Sequence, residues 1–577
     1  MCGFAGIFSL KDSGLIDPRN IINMTEALHH RGPDATGYFK NSYAHFGHKR
    51  LSIVDLSQAA NQPMWDIHKR YAIVYNGEIY NHLELRKILK NTYEFKTSSD
   101  TEVILAAFQK WGSQCIHRFN GVWSFVILDT IGRSIFCSRD RLGVRPFYYT
   151  LCSDFLLFSS EIKSLLEFSE FNSSPNEEVM ALYLKGHYGF LEKNGDTFFK
   201  SVYQLPAGSN LFVGVGEKLQ IKKYWSLRKK QIDIKPNEIK PYYLNLLNDA
   251  IRLRLSCDVP IGISLSGGID STAIACLSSN YTVIPPLKSF SSHFDEPEAN
   301  EFTYIQATLD QTKFKAAFTT PTPESFLNDW QKLMWHHEQP YYGLSMFAQW
   351  EVLKLAKEHN IKVLLNGQGS DEVLAGYTKF LPYYYADLIR TGELAVFKNP
   401  SVIKSLKIII ASKIAQKNKT NLSYVDQESL HCVELSPLPS LLHIDDRNSM
   451  AFSIETRAPF LDYRLIEFTF SLPFYYKISN DITKKLLRDC LQDKIPSLVL
   501  NRKDKMGFPV PMQAWLRGPL KSHCRDIFSS NKFRERGHTS GVKLITEYEQ
   551  FINGKKNDCE RIWRYLNLEQ WLRTFWR

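Results

Sequence analysis

A cysteine stands at position 2, directly behind the initiator methionine. If Met1 is removed, as is common before a small side chain, Cys2 carries a free α-amine and a thiol on one residue. A thiol with a pKa of about 8.5 is only partly ionised at neutral pH, and an α-amine of about 7.7 to 8.0 takes its proton directly or through water. Nucleophile and base then share one residue, which suits acyl transfer. Taken alone, a cysteine here is usually just a small residue, so the chemistry rests on what accompanies it.

A second constellation lies near the middle of the chain, where the apolar run 261–265 leads into Ser266-Gly267-Gly268-Ile269-Asp270-Ser271 and a helical stretch over 272–279. Strand, glycine turn and helix make a phosphate site. Two glycines let backbone amides approach an anion, the Ser266 and Ser271 hydroxyls add hydrogen bonds, and the helix N-terminus adds favourable partial charge. Asp270 is the exception, because a carboxylate beside phosphates repels them unless a cation intervenes. Mg2+ removes that conflict. The alternative is a serine-glycine turn that caps a helix. No Gly-Lys-Ser/Thr follows, so this is not a Walker loop, and it lacks the dinucleotide fingerprint. A further loop, Asn366-Gly367-Gln368-Gly369-Ser370-Asp371-Glu372, follows the run 362–365 and projects from a strand's C-terminal end, the ligand edge of a parallel sheet. Asp371 could share the Mg2+ with Asp270.

In the first half, Cys2-Gly3-Phe4-Ala5-Gly6-Ile7 is followed by His30-Arg31-Gly32-Pro33-Asp34, Arg50-Leu51-Ser52-Ile53-Val54-Asp55, Tyr75-Asn76-Gly77-Glu78-Ile79-Tyr80-Asn81, Ser99-Asp100-Thr101-Glu102 and Arg139-Asp140-Arg141-Leu142-Gly143. In this order the motifs resemble the class II glutamine amidotransferases over about residues 2–200. The resemblance implies an α+β four-layer N-terminal-nucleophile glutaminase domain in which Cys2 attacks the side-chain amide of glutamine. Amide hydrolysis passes through a tetrahedral oxyanion, which an Asn NH2 and an adjacent Gly backbone N–H stabilise; by resemblance these are Asn76 and Gly77. Arg50 is expected to hold the glutamine α-carboxylate bidentately, and Glu78 and Asp100 to receive its α-ammonium. Read alone, Asn76-Gly77 is a hairpin turn. His30 and Gly32-Pro33-Asp34 receive no chemical step.

The loop at 266–271 is similar to that of the ATP pyrophosphatases, which activate a carboxylate or carbonyl as an adenylate and release pyrophosphate. Later come Ser453-Ile454-Glu455-Thr456-Arg457-Ala458-Pro459-Phe460-Leu461-Asp462, Lys484-Lys485-Leu486-Leu487-Arg488 and Arg502-Lys503-Asp504-Lys505-Met506-Gly507-Phe508-Pro509. With the glutaminase half, these make the chain from Cys2 to about Trp515 resemble the glutamine-hydrolysing asparagine synthetases. The resemblance implies ATP as substrate, bound by Leu265, Ser266, Gly267, Gly268, Asp270, Ser271, Asn366, Gly367 and Lys484, with Mg2+ on Asp270 and Asp371. Lys484 is expected to stabilise charge as pyrophosphate leaves, although a lysine on a helix is more often exposed. Leu265 and the segment 290–294 are expected to line the adenosine pocket, and Glu301 belongs to the same site without an assigned contact. L-Aspartate is the implied acceptor. An internal ammonia passage and a homodimer are implied as well.

One loop departs from the pattern. The well-described members read Ser-Gly-Glu-Gly-Ser-Asp-Glu where this chain has Asn366 and Gln368. An amide cannot act as a base, though it orients groups by hydrogen bonds. Relatives of this broad family amidate other carboxylates, including uronic acids of bacterial surface polysaccharides. Related β-lactam-forming cyclases generally lack the N-terminal cysteine, and a noncatalytic scaffold would be free to lose Cys2, Asp270 or Asp371. All three are present.

These residues need two kinds of scaffold. Short β segments at 4–10, 71–75, 122–129, 134–138, 146–150 and 155–159, with helical stretches at 21–29, 82–90 and 100–110, predict a layered α+β domain over 2–210. The polar, basic stretch 211–240 reads as a linker. From 241 to 577 an amphipathic helix, in which Arg252 and Arg254 point away from the apolar face, opens an α/β parallel-sheet domain with added helices.

The remaining composition bounds the class. A chain of 577 residues with 44% hydrophobic and 23% charged residues is long enough for two to four domain cores. Ten cysteines without a CxxC pair indicate neither a disulfide framework nor a thiolate zinc site. No signal peptide or spanning segment is read, so a cytoplasmic protein is expected. The net charge of +11 favours anionic substrates such as nucleotides, with no nucleic acid or stable membrane insertion assigned. The polar segment 416–421 reads as a loop, and the aromatic, basic C-terminus reads as a packed helix.

Overall fold

A computed structural model describes all residues except 13–15, 187–194, 282–284, 295–299, 394–405, 408, 410–421, 504–509, 537–540 and 577. The expected loop at 416–421 and most of the last motif, 504–509, lie outside the described residues.

Two six-stranded antiparallel sheets build the N-terminal half. One runs Tyr203–Gln204, Tyr148–Cys152, Phe155–Ser159, Gly3–Ser9, Ala44–Arg50, Ala35–Lys40; the other runs Gln220–Lys223, Ser209–Gly214, Ser134–Arg139, Gly121–Asp129, Tyr71–Ile79, Met64–Trp65. Side chains alternate across a strand, and both faces are apolar here. Phe4 and Phe8 meet Val74, Val126 and Leu128 between the sheets. Ala5 and Ile7 turn the other way, onto Ile21, Met24 and Leu28 of the Pro18–Glu26 region. Ile73, Phe125 and Ile127 likewise face Leu85, Leu89 and Val103 of the helices His82–Leu89 and Asp100–Trp111. The result is the expected four-layer order of helix, sheet, sheet, helix.

Two corrections concern this half. The apolar pattern does not mark strands Ala35–Lys40 and Ala44–Arg50, because His45, His48, Lys49 and Arg50 interrupt it although all are buried. The linker expected to begin at 211 instead begins after Lys223, since Ser209–Gly214 and Gln220–Lys223 join the sheet. Gln220–Lys223 is an edge strand with every side chain exposed, so hydrophobic patterning could not mark it.

Helix Pro236–Arg254 opens the second half. Arg254 does not point to solvent as expected. It is 1% exposed, reaches Asp462 at 3.2 Å and lies over the Tyr80 ring of the first half. The sheet that follows has five parallel strands in the order Lys315–Thr319, Lys288–Ser292, Ile261–Ser264, Val363–Leu365, Glu455–Arg457. The chain winds outward to one side from Ile261–Ser264 and then returns to its other side, so the winding reverses between Ile261–Ser264 and Val363–Leu365. Loops leaving the C-terminal ends of these two strands meet at that reversal, where open α/β sheets bind ligands. The C-terminal helix Cys559–Phe575 packs Trp563 and Trp571 into a core shared with Tyr183, Phe198 and Phe199 of the first half. Among the described residues, no helix is long and apolar enough to cross a membrane.

Candidate active sites

Strand pairing brings the first set of residues together. Gly3–Ser9 lies against Ala44–Arg50 with Gly3 opposite Lys49, which places Arg50 beside the chain's start. Cys2 N donates to Asn76 Oδ1 at 3.0 Å, and Cys2 Sγ lies 3.9 Å from Leu51 O. With its carbonyl oxygen so engaged, Asn76 keeps Nδ2 buried without a hydrogen-bond partner among the described residues. An unsatisfied buried donor costs stability unless a ligand completes it. At Gly77, a Cβ would stand 2.2 Å from Val122 O, so no side chain fits beside this strand. Three contacts hold the Arg50 guanidinium: Ser57 O at 2.7 Å, Asn61 Oδ1 at 2.9 Å, and Asp55 O. A guanidinium has five N–H donors, so this anchoring leaves capacity for a carboxylate. Burial pushes the Cys2 thiol up, with the adjacent ammonium and Arg50 opposing it only in part.

Glu78 and Asp100 close the other side. Both are buried, and Asp100 Oδ2 accepts from Tyr75 Oη at 2.8 Å and from Ile79 N at 2.9 Å. Burial and then the Asp100 charge hold Glu78 well above the usual carboxylate range, while Arg457 opposes them. The Met1 ammonium lies 2.8 Å from Glu455 Oε2, both groups having no side-chain exposure. Burial alone would raise the Glu455 pKa, but this ammonium and Arg457 lower it to about 2. Glu455 and Arg457 come from the parallel sheet of the second half, so both halves build this pocket. Both residues stand in the motif 453–462, whose spacing gives them no place in the site. Only the packing of the two halves supplies it.

The second set converges at the winding reversal. Ser266 Oγ and Ser271 Oγ lie 3.1 Å apart across the turn, Ser266 N donates to Ser271 Oγ at 3.2 Å, and helix Ile269–Ser278 starts within the motif with Gly268 as its cap. Asp270 Oδ1 accepts from Ser370 Oγ at 2.6 Å, which ties this loop to the next. Gly367 is required there, since a Cβ would lie 2.8 Å from Asp270 Cβ. Lys484 Nζ sits 2.6 Å from Asp270 Oδ2 and 2.8 Å from Asp371 Oδ1. It is 4% exposed, not a surface lysine. Two carboxylates on one ammonium make a donor set that suits Mg2+, which takes one or two carboxylates and completes its shell with phosphate oxygens and water.

These groups line a cavity of about 760 Å³ that includes Ser266, Gly268, Asp270, Ser271, Asn366, Gly367, Gln368, Asp371 and Lys484. Gly267 lies in the turn behind it. Among the described residues, neither Leu265 nor 290–294 lines this cavity: Leu265 N donates to Phe290 O at 2.9 Å, and both side chains are buried in hydrophobic cores. Glu301 stands behind the phosphate loop, where it holds Arg502 at 2.7 Å; Arg502 in turn donates to Gly267 O at 3.3 Å.

Comparison with known proteins agrees with this two-site plan. A glutamine amidotransferase domain model matches residues 1–225, and an asparagine synthase model matches residues 243–573. Asparagine synthetase (glutamine-hydrolyzing) 1 of Bacillus subtilis is 28% identical, covering 99% of this chain and 96% of its own. A putative asparagine synthetase (glutamine-hydrolyzing) 2 of Methanocaldococcus jannaschii is 35% identical, covering 73% of this chain and 82% of its own. Amidase chyE of Penicillium rubens is 26% identical and covers 93% of each chain. The asparagine synthase match spans more than half of the sequence, so this chain belongs to the asparagine synthase family, whose members are ATP-dependent ligases, and here the ligase is joined to a glutamine amidotransferase domain.

Proposed function

We propose that this protein converts ATP, L-aspartate, L-glutamine and water to AMP, pyrophosphate, L-asparagine and L-glutamate through a β-aspartyl-adenylate. The observation that carries the reading is the delivery of one carboxylate from each sheet loop, Asp270 and Asp371, to the single amine of Lys484. A triphosphate chain needs such a cationic group beside a metal site.

In the glutaminase half, Cys2 Sγ attacks the amide carbon once Met1 is gone. The thiol proton passes to the Cys2 α-amine and then to the departing nitrogen, so ammonia leaves and an acyl-enzyme remains, which water hydrolyses to glutamate. Asn76 Nδ2 and Gly77 N–H stabilise the oxyanion, Arg50 holds the α-carboxylate, and Glu78 with Asp100 takes the α-ammonium. In the synthetase half, the acceptor carboxylate attacks the α-phosphorus and pyrophosphate leaves, its charge stabilised by Lys484. Ammonia then attacks the acyl carbon, and AMP leaves. Asp270 and Asp371 would hold Mg2+, which supplies charge neutralisation at the phosphates when bound. The labour divides between residues up to Lys223 and residues from Pro236 onward, in a cytoplasmic homodimer.

A second acceptor has an observation in its favour. Gln349 and Thr456, which line the cavity beside Asn366, present neutral polar groups in front of Asp445, and Gln368 stands where the pattern has a glutamate. A zwitterion such as aspartate wants charged partners for its α-groups. A hydroxyl-bearing carboxylate such as a uronic acid suits a neutral wall. The test is AMP and pyrophosphate release with ATP, Mg2+ and glutamine, with and without L-aspartate, and asparagine followed by mass. Aspartate-dependent AMP matched by asparagine supports the first reading. Glutamine hydrolysis with no aspartate-dependent AMP removes it and moves the assay to uronic acids.

A further inference from the structure

Two consecutive carboxylates on helix Leu438–Met450 face different active sites. Asp446 forms a fork with Arg31, Nη1 to Oδ2 at 2.8 Å and Nη2 to Oδ1 at 2.9 Å. Arg31, fully buried, also donates from Nε to the backbone oxygen of Cys2 at 3.0 Å. Asp445 turns to the cavity side. Its Oδ1 accepts from Asn366 Nδ2 at 2.9 Å and from Gln349 Nε2 at 2.6 Å, and its Oδ2 accepts from Thr456 Oγ1 at 2.6 Å. Every link from the nucleophile's carbonyl to the nucleotide loop is therefore a hydrogen bond or one peptide unit: Cys2, Arg31, Asp446, Asp445, Asn366.

Packing alone does not account for this arrangement. Buried ion pairs contribute little net stability compared with apolar residues of similar volume, because removing both charges from water is costly. Successive residues on a helix point about 100° apart, so one stretch of backbone fixes both carboxylates, and a shift of either moves the other. The surroundings make that backbone stiff. Next along the helix, Arg447 is buried inside the interface, reaching Glu338 at 2.8 Å and Glu161 at 3.3 Å, and Asn448 Oδ1 accepts from His337 Nε2 at 2.8 Å. Asp445 is held by three neutral donors and Asp446 by two cations, Arg31 and Arg447. The former therefore responds to what Asn366 does, while the latter transmits position to Arg31.

We propose that Asp445 and Asp446 are a positioning pair through which occupancy of the ATP cavity sets the reactivity of Cys2. This rests on the assignment of Cys2 as nucleophile and of Asn366 as a nucleotide-loop residue. A ligand that draws the Asn366 amide toward itself changes the load on Asp445, the helix adjusts, and the Arg31 guanidinium moves under the Cys2 carbonyl. Glutamine hydrolysis is then faster when the cavity is filled, so that ammonia is released when an adenylate can form.

The experiment compares glutamate release from glutamine with and without ATP, Mg2+ and L-aspartate, for wild type, Asp445→Asn and Asn366→Ser. Alkylation of Cys2 by iodoacetamide, followed on the N-terminal peptide by mass spectrometry, reads thiol reactivity without turnover, with and without a non-hydrolysable ATP analogue. Wild type is expected to show at least a threefold ligand effect in both readouts. Asp445→Asn should bring both ratios to within about 1.5 of unity while the ligand-free kcat/KM for glutamine stays within twofold. Asn366→Ser, which removes the amide donor without adding bulk, should bring both ratios to the same range in protein that still binds the analogue, and serves if Asp445→Asn does not fold. A wild-type ratio of one, or an undiminished ratio in folded Asp445→Asn or Asn366→Ser that still bind the analogue, overturns the coupling and leaves the functional reading standing. Wild-type protein that neither hydrolyses glutamine nor binds the analogue overturns both.

Discussion

Arg457 Nη2, on the last strand of the parallel sheet, lies 3.3 Å from Glu78 Oε2 in the glutaminase half. The same guanidinium is held by Glu455 Oε1 at 2.6 Å and by the carbonyls of Arg254 and Ser256 at 2.8 Å each. Arg457, from the opposite half of the molecule, thus opposes burial and Asp100, which both favour the neutral form of Glu78. A glutamine ammonium would bring a second cation to the same place.

Replacement of Arg457 by Gln removes the cation that opposes protonation of Glu78. The expected outcome is a rise in KM for glutamine of about tenfold, or about 1.4 kcal/mol, with kcat changed less than threefold. Because the Glu78 pKa rises further in this variant, the KM defect should deepen as pH falls from 8 to 6. Steady-state glutaminase kinetics over that range decide it, and a pH-independent KM equal to wild type would place the ammonium elsewhere.

A second prediction concerns Cys2. Cys2→Ala should abolish glutamine-dependent amidation while leaving synthesis from added ammonium, since the thiol takes no part in adenylation. Intact mass of active enzyme should lack one methionine, because the Met1 ammonium is buried against Glu455 and the Cys2 nitrogen is then an amide with no basicity. Loss of ammonium-dependent synthesis in Cys2→Ala would make Cys2 structural.

The glutaminase residues could be picked from motifs, but their partners could not. Asn76-Gly77 reads as a turn in isolation, yet it sits within strand Tyr71–Ile79, paired opposite Ser124 and Trp123. Arg50 ends a strand whose histidines and lysine hide its period, so the neighbourhood of Cys2 and Arg50 follows from sheet register rather than local pattern. The phosphate loop was legible because strand, glycines and helix start lie within a dozen residues. Lys484 was named by resemblance, but its burial was not legible, since that depends on Asp270 and Asp371, more than a hundred residues away in sequence. Glu455, Arg457 and Asp446 act across the interface between halves, a contact that no spacing rule encodes.

Acid should loosen that interface. His337, fully buried on helix Pro323–His337, has its pKa lowered to about 3 by burial, with Arg447 and Lys163 reinforcing the shift and the Asn448 hydrogen bond opposing it. In the unfolded chain a histidine titrates near 6.5. Between pH 6.5 and about 3 the unfolded state binds the extra proton, so His337 leaves stability intact above pH 6.5 and subtracts about 1.4 kcal/mol per pH unit below it. His337→Gln can keep a donor toward Asn448 without titrating. Denaturant unfolding at pH 7, 6 and 5 should show a shallower loss for the variant, by about one proton. Parallel curves for the two proteins would mean that His337 is protonated in the native state.

Lys484 carries the last prediction. Its backbone takes a left-handed conformation, φ 54°, at the junction between strand Ile482–Thr483 and helix Lys485–Cys490, and this turn aims Nζ inward between Asp270 and Asp371. Lys484→Met should lower glutamine- and ammonium-dependent AMP formation alike, by about 10² to 10³, as expected when a preorganised charge at a leaving group is lost. Glutaminase activity without ATP should stay, since Lys484 makes no contact with the Cys2 pocket. Asp270→Asn should depress AMP formation through the same phosphates. Groups that act as a unit lose their effects together, so the double variant should fall little below the worse single one. Pyrophosphate release, measured for the two single variants and the double, tests this directly. Multiplicative losses would show that Lys484 and Asp270 serve separate steps despite the 2.6 Å contact between them.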